Sequence, residues 1–356
     1  MKKRFLALVI SGLALGVGAG PAMADDPVSS QSAAQFAGSV QSADSNANST
    51  QINPSNTNIN VRVLSPGDDG DVSQENNSYA EADATNDNNT EQSIDQSQYG
   101  GGGGDALQEA AQEAVNLQKA EADAESKQIK PENKNISVRV LSPGDNGSVS
   151  QENNSKARSN AENDNDLEQD IDQHQGGGGG APMSSGSYPE HNDYGDHCDC
   201  YGGTGIQAAA QEALNKQYAD ADAKSVQVKP SNTNISVRVL SPGDDGDVSQ
   251  ENNSYADAKA KNDNNTDQKL KQTQRSSGCG CSASDLIQAA AQSAFNFQKA
   301  DADAESKQIE PENNAFSLRL KSWGDGGSLS QSNNSWADAF ARNENDLDQD
   351  LEQSQG

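Results

Sequence analysis

A chain of 356 residues with a formal charge of -29 at neutral pH and an isoelectric point near 4.2 repels nucleic acid and anionic lipid unless cations bridge them. Apolar residues make up 31% of it, many of them Ala, and aromatic residues only 4%, so a conventional Leu/Ile/Phe core across the whole length is excluded. Such a chain either stays disordered or packs by regular stacking.

The first residues set the compartment. Lys2, Lys3 and Arg4 precede an apolar run from Phe5 to about Gly20, and Ala22-Met23-Ala24 offers a small-residue cleavage site before Asp25. Residues 1–24 read as a secretory signal peptide, a single membrane anchor being the rival. The mature chain is then expected to be secreted or held at the cell surface, with membrane contact confined to export.

Four copies of one pattern follow, at 25–98, 105–175, 205–274 and 285–356, joined by linkers 99–104, 176–204 and 275–284. Each copy opens with an arm that keeps Gln, Ala, Ser or Asn at every second position. Copy one has Gln31, Ala33, Gln35 and onward to Gln51; copy two has Gln108, Ala110, Gln112 and onward to Gln128. A period of two predicts a strand. For Asp105 to Leu117 and its equivalents a short helix competes, because Leu107, Ala110, Ala111, Ala114 and Val115 also fit helical spacing and Asp105 can cap it.

Pro54, Pro131, Pro230 and Pro311 then mark a break. A short apolar strand comes next, Ile59-Asn-Val-Arg-Val63 in copy one and Ile136-Ser-Val-Arg-Val140 in copy two, and a loop such as Ser142-Pro-Gly-Asp-Asn-Gly147 turns the chain. The expected unit is a hairpin with its return strand starting at Val72, Val149, Val248 and Leu329. That return arm holds one face strictly: Gln74, Asn76, Ser78, Ala80, Ala82 and Gln92 in copy one, Gln151, Asn153 and Gln169 in copy two, Gln250, Asn252 and Gln268 in copy three, Gln331, Asn333 and Gln349 in copy four. Uninterrupted it would be roughly 90 Å long at about 3.3 Å per residue, so a turn is expected at Asn86-Asp-Asn-Asn89, Asn163-Asp-Asn-Asp166, Asn262-Asp-Asn-Asn265 and Asn343-Glu-Asn-Asp346.

Buried Gln, Asn and Ser are costly unless each amide finds a partner. Placing Gln over Gln and Asn over Asn in successive layers supplies one, as in cross-β ladders. The fixed face is therefore read as an assembly face and the variable one as solvated. Regular Gln74-x-Asn76-x-Ser78-x-Ala80 and Asn88-x-Thr90-x-Gln92-x-x-x-Gln96 spacing resembles the curlin repeats of bacterial functional amyloids, across most of the mature chain. These units are several times longer and more acidic than curlin repeats and lack their internal Gly. The resemblance implies an extracellular, β-rich fibre or biofilm-matrix component.

Chemistry of other kinds is sparse. His174, His191 and His197 sit in or beside linkers, no nucleophile–His–carboxylate arrangement recurs, and no catalytic residue or cofactor is expected. Asp68, Asp69 and Asp71, with Asp244, Asp245 and Asp247, are hard-oxygen candidates for Ca²⁺, against a simple turn as the default. Cys198, Cys200, Cys279 and Cys281 suit disulfides between linkers or chains in an exported protein, zinc being the rival beside His191 and His197. Copy four alone carries Phe316, Trp323, Trp336 and Phe340, read either as covering an end or meeting a partner, or as a local apolar cluster.

The expected fold is all-β, four tandem long hairpins stacking as a β-solenoid-like or cross-β sheet. The expected role is structural: self-assembly, with itself or related repeat proteins, promoted by acid or divalent cations. A monomeric multivalent adhesin or divalent-cation-binding module is the rival reading, and an enzyme a distant third.

Overall fold

The computed structural model describes residues 29–99, 106–176, 205–275 and 286–356. The leader, the four cysteines, His191 and His197 lie outside the described residues. Each described stretch is one layer with a long strand, a short strand and a long strand. Layer 1 holds β1 (Ser29–Ile52), β2 (Ser55–Val63) and β3 (Val72–Tyr99); layer 2 holds β4 (Ala106–Ile129), β5 (Glu132–Val140) and β6 (Val149–Gly176). Layer 3 has β7 (Gly205–Val228), β8 (Ser231–Val239) and β9 (Val248–Arg275), and layer 4 has β10 (Leu286–Ile309), β11 (Glu312–Leu320) and β12 (Leu329–Gln355).

Layers stack in sequence order, giving three four-stranded parallel sheets: β1-β4-β7-β10, β2-β5-β8-β11 and β3-β6-β9-β12. We call these the first, middle and last sheets. Equivalent residues sit directly on one another without a slip, as in Gln31↔Gln108, Gln108↔Gln207 and Gln288↔Gln207. The all-β, solenoid-like expectation holds. The reason lies in the fixed alternate positions, since a slip of one residue would turn every inward side chain outward.

The hairpin expectation is corrected. The long strands of one layer run antiparallel, but they meet through side chains and not through backbone hydrogen bonds. Gln31 Nε2 reaches Ser97 O at 3.1 Å, Gln41 reaches Asp87 O at 2.6 Å and Gln51 reaches Asn77 O at 2.6 Å. Backbone bonding goes to the layers above and below, so each layer is an arch. The corners rotate the strand by placing a residue in the left-handed region: Asn53, Lys130, Lys229 and Glu310 before the prolines, and Leu64, Leu141, Leu240 and Lys321 after the short strand. Stacking bonds run through both corners, with Asn53 N donating to Ile129 O at 2.8 Å and Leu64 N to Val140 O at 3.0 Å, and these hold the unfavourable geometry.

Two further expectations give way. No turn interrupts the return arm: β3 and β6 each run 28 residues. Asn86 and Asn88, which suit a turn, instead donate to Asn163 and Asn165 one layer on, both at 2.8 Å. Strand length is limited where a sheet twists over its own edge, and here every residue finds a partner in the next layer. The competing helix is also absent over Ala106–Leu117, Asp105 lying outside the described residues, because β4 puts Gln108, Ala110, Gln112 and Ala114 inward to meet the same residues of neighbouring layers. Tertiary pairing overrides the helix preference of Ala and Gln.

The first and last sheets pack face to face around small side chains. The central cluster is all Ala, including Ala82, Ala122, Ala157, Ala221 and Ala258, and beside it Ile94, Ile171 and Leu270 fill against Ala110 and Ala209. The two sheets are offset by half a layer, which the serines trace as a zigzag. Ser49, Ser78, Ser126, Ser155, Ser225, Ser254, Ser306 and Ser335 form an unbroken chain of hydroxyl contacts at 2.9–3.0 Å.

The middle sheet is built the other way round from its apolar alternation. Asn56, Asn58 and Arg62 point inward, while Ile59, Val61 and Val63 are exposed on the outer surface, and their columns end in the exposed Phe316, Leu318 and Leu320. The inward Asn column needs its counterpart on the last sheet: Asn76 Nδ2 donates to Asn133 Oδ1 at 3.0 Å. Satisfying those amides and the Arg column inside leaves the apolar side chains facing out.

Candidate functional site

The side chains singled out as an assembly face all lie in the inward columns of the last sheet. Gln74, Asn76, Ser78, Ala80, Ala82 and Gln92 of layer 1 are buried, as are Gln151, Asn153, Gln169, Gln250, Asn252 and Gln268 of the middle layers. Gln331, Asn333 and Gln349 occupy the same columns at the layer-4 end, bonded to layer 3 at 2.6–2.8 Å.

Across both long-strand sheets there are eight inward columns of four Gln, and across the middle and last sheets four inward columns of four Asn; every rung is bonded at 2.6–3.2 Å except the one between Gln98 and Gln175. The two kinds run in opposite directions. Each Gln donates back to the preceding layer, as Gln288 to Gln207 to Gln108 to Gln31. Each inward Asn donates forward, as Asn76 to Asn153 to Asn252 to Asn333, whereas the outer column donates back, as Asn334 to Asn253 to Asn154 to Asn77. The Gln orientation is set by its second amide hydrogen, which goes to a backbone carbonyl across the core, as from Gln112 to Asp170 O at 2.9 Å.

This polarity gives the ends opposite chemistry. At layer 1 the Gln columns end on amide hydrogens and the inward Asn columns on carbonyl oxygens; at layer 4 the Gln columns end on carbonyl oxygens and the inward Asn columns on amide hydrogens. The end strands have no sheet neighbour on their outer side among the described residues. The half-layer offset also makes the ends a pair of steps. β1 overhangs at one end, touching β3 alone across the core, and β12 overhangs at the other, touching β10 alone.

A column of arginines crosses the stack where the middle sheet meets the loop into the last strand. Arg139 and Arg238 are fully buried. Arg139 donates to Asn146 Oδ1 at 2.7 Å, Gly67 O at 2.7 Å and Asp145 O at 2.6 Å, with Asp69 Oδ1 at 2.9 Å. Arg238 pairs with Asp245 at 2.6 Å, and Asp245 also meets Arg319 at 3.3 Å. Each inner carboxylate thus serves two guanidinium groups, its own and that of the next layer. Burial pushes the Asp69 carboxyl up, but the hydrogen bond from Arg62 and the charge of Arg139 outweigh it and hold it below the usual 3.8.

The loop carboxylates proposed as Ca²⁺ ligands are engaged otherwise. Asp69 and Asp245 face the arginines. Asp68 accepts from Asp145 N at 2.8 Å, Asp244 from Asp325 N at 2.7 Å, Asp71 from Ser148 N at 2.8 Å and Asp247 from Ser328 N at 2.8 Å. Among the described residues no group of three or more His, Cys, Asp or Glu is arranged to hold a metal ion.

Odd and even layers differ. The positions of Asp69 and Asp71 read Asp and Asp in layer 1, Asn146 and Ser148 in layer 2, Asp245 and Asp247 in layer 3, and Gly326 and Ser328 in layer 4. The column of Thr90 alternates likewise, with Leu167, Thr266 and Leu347. On the outer surface of the last sheet Lys156 lies over Tyr79 and Tyr255, 5.8 and 5.1 Å from their ring centres, and Trp336 meets Tyr255 edge-on at 5.1 Å. The aromatic residues of layer 4 therefore extend outer columns and do not close the end.

The outer surface of the first sheet stacks carboxylates: Asp44, Glu121, Asp220 and Asp301 in one column, Asp123, Asp222 and Asp303 in the next. Burial first, then the neighbouring carboxylates, raise Asp123, Asp220 and Asp222 above the ordinary 3.8. Three features lay beyond sequence reasoning: the opposed polarity of Gln and Asn, the inward arginines and the outward Ile/Val face. The Arg within Ile-x-Val-Arg-Val was the one available signal, since a charge recurring in four copies at a strand position has a fixed partner. No family model, curated protein or solved structure matches the chain.

Proposed function

We propose that this chain is a secreted structural subunit that polymerises head to tail, seating its layer 1 on layer 4 of the preceding copy, to build an extracellular fibre or matrix. The observation that carries this is the complementarity of the two ends. Gln31 Nε2 of an incoming copy meets the open Gln288 Oε1, while Asn333 Nδ2 meets the second lone pair of Asn76 Oδ1, whose first accepts from Asn56 Nδ2 at 3.1 Å. Head-to-head contact needs a two-fold rotation, which reverses the strands or exchanges the two long sheets and so breaks the register of the columns. A heterologous contact of this kind does not close on itself and grows a filament.

Two details support the same reading. The overhanging β1 of one copy fits beside the overhanging β12 of another, restoring the half-layer offset. An odd layer follows an even one at the junction, so the Asp–Arg alternation continues with Gly326 and Asp69 of successive copies as neighbours. The curlin-like spacing of Gln, Asn and Ser is consistent with this role, and the ladder amides of the described residues are spent on stacking.

Gly70 provides a test that separates folding from growth. In layers 2 to 4 a Cβ on Gly147, Gly246 or Gly327 would lie 2.2–2.4 Å from the carbonyl oxygen of the glycine one layer before, whereas a Cβ on Gly70 meets nothing within 4 Å. Its space is open in a single copy and would be taken by Gly327 O of the preceding copy in a fibre. Gly70→Ala is therefore expected to fold as the parent does and to elongate at least tenfold more slowly, measured by light scattering and electron microscopy. Parent filaments should give a fibre-diffraction spacing near 4.7 Å along the axis. Absence of that spacing under all assembly conditions, or parental growth by Gly70→Ala, refutes head-to-tail stacking.

A further inference from the structure

The outer surface of the middle sheet is a flat patch of twelve apolar side chains, three columns wide and four layers high, and none of the twelve positions carries a charge. Its rim at layer 1 is 61% exposed at Ile59 and 60% at Val61, and at layer 4 it is 55% exposed at Phe316. Leu64, Leu141 and Leu240 widen it at the corner of layers 1 to 3, Lys321 taking that position in layer 4. On an acidic chain with this few large apolar residues, a contiguous apolar surface marks a contact site. We infer that this patch is a lateral seam, occupied by the same patch of a second copy in a neighbouring filament. The inference rests on the head-to-tail reading above.

Charge narrows the occupant to a like surface. The first sheet presents the column Asp44, Glu121, Asp220 and Asp301 outward, and the last sheet presents Glu75, Glu152 and Glu251. Two acidic copies approaching through those faces repel, whereas the middle sheet lets them meet without burying a carboxylate. Symmetric pairing sets the central Val61 column against its own copy, flanked by Ile59 against Val63. β-branched side chains on a pleated surface interdigitate in that way to form a dry zipper.

Area explains why the seam belongs to filaments and not to free chains. Four layers at about 4.8 Å give a height of about 19 Å, and three outward side chains plus the corner Leu span about 19 Å along the strand, hence roughly 360 Å² per chain. Two free chains pairing here would bury about 700 Å², short of the roughly 1,200 Å² of a stable interface. Two filaments gain that amount again with every subunit added. Stacking therefore comes first and pairing follows within a few subunits of growth.

Mass per length of filaments grown from the mature chain tests this. The parent is expected to show two chains per ~19 Å of rise, and Val138→Lys/Val237→Glu one chain, a halving. The opposite charges lie on neighbouring strands of one stack, so they leave stacking in place while putting charge into the dry seam. Val138→Ile/Val237→Ile should keep two chains. Should the charged variant fail to form filaments, the near-isosteric Val138→Thr/Val237→Thr takes its place, with single stacks expected to rise several-fold over the parent. Parent filaments of one chain per rise overturn the seam and leave head-to-tail stacking intact; so do charged or Thr variants that stay paired. Unpaired parent filaments that co-sediment with phosphatidylcholine vesicles would identify a lipid surface as the occupant and overturn the inference equally. A parent that forms no filaments removes the stacking reading and the seam with it.

Discussion

Replacing Gln211 by Glu tests the ladder at a buried rung held by several bonds. Gln211 is 2% exposed, and its amide nitrogen donates to Gln112 Oε1 at 3.1 Å, Gln169 O at 3.0 Å and Lys269 O at 2.8 Å, while its oxygen accepts from Gln292 at 2.9 Å. Gln211→Glu changes one NH₂ to an oxygen of nearly the same size and faces it with three acceptors. Burial and those oxygens both disfavour the ionised form, so the carboxyl is expected to titrate well above its usual ~4.3. A carboxyl raised in the folded state stabilises that state fully below the unfolded value and loses the contribution as pH rises through the folded one. If the folded value exceeds 7, the loss between acid and pH 7 is about 2.7 pH units at ~1.36 kcal/mol each, or about 3.7 kcal/mol. A further pH-independent ~1–3 kcal/mol comes from the bonds a single hydroxyl cannot replace. Urea unfolding of freshly purified, unpolymerised chain, followed by far-ultraviolet circular dichroism at pH 4 and pH 7, measures both parts. Glu212→Gln, one residue along on the outer face, is expected to stay within ~0.5 kcal/mol of the parent. A Gln211→Glu chain equally stable at the two pH values, or as stable as the parent at pH 7, would refute the claim that this column is closed to water and continuously bonded.

Gly246→Ala brings a Cβ to 2.3 Å from Gly147 O, and overpacking of this kind should cost ~1–3 kcal/mol in the same unfolding assay, against no loss for Gly70→Ala. Acid should favour the stack. Asp123, Asp220 and Asp222 are raised above 3.8 in the folded chain, as are Asp164 and Asp170 through burial and neighbouring carboxylates. Their protonation adds stability as pH falls from neutral toward 4. Asp69 is lowered, and its contribution disappears only as pH falls below 3.8 through its folded value. Thermal unfolding scans should therefore show a midpoint rising from pH 7 to about pH 4 and falling below it; a midpoint that drops steadily from pH 7 downward contradicts the assignment.

The alternate-residue frame made the strand character, the inward residues and the layer-on-layer register legible, because a position held at Gln in four copies has to bond to Gln. The arch was not legible. Pro and Gly after a strand describe a hairpin and an arch equally well, and the distinction lies in the left-handed backbone at Asn53 and Leu64, residues that also suit ordinary turns. The Asn86–Asn89 cluster misled for a related reason, since the side-chain amides that favour turns serve a ladder once a neighbouring layer supplies Asn163 and Asn165. Helix at 106–117 was ruled out by partners nearly a hundred residues away, such as Gln207 for Gln108. The apolar alternation of the short strand concealed its direction, which follows from buried Arg139 and Arg238 and their carboxylates.

The alternation of Asp-bearing and Asp-free loops has a consequence for how such a chain can change its length. Asp69 and Asp245 each neutralise the guanidinium of their own layer and of the layer after it, so the natural unit of duplication is a doublet. Copies gained or lost in twos leave the charge rhythm intact at every junction. A change of one would set two anionic loops side by side, or leave consecutive buried arginines with no counter-ion. Parity of copy number, more than the number itself, is what the electrostatics of the stack conserve.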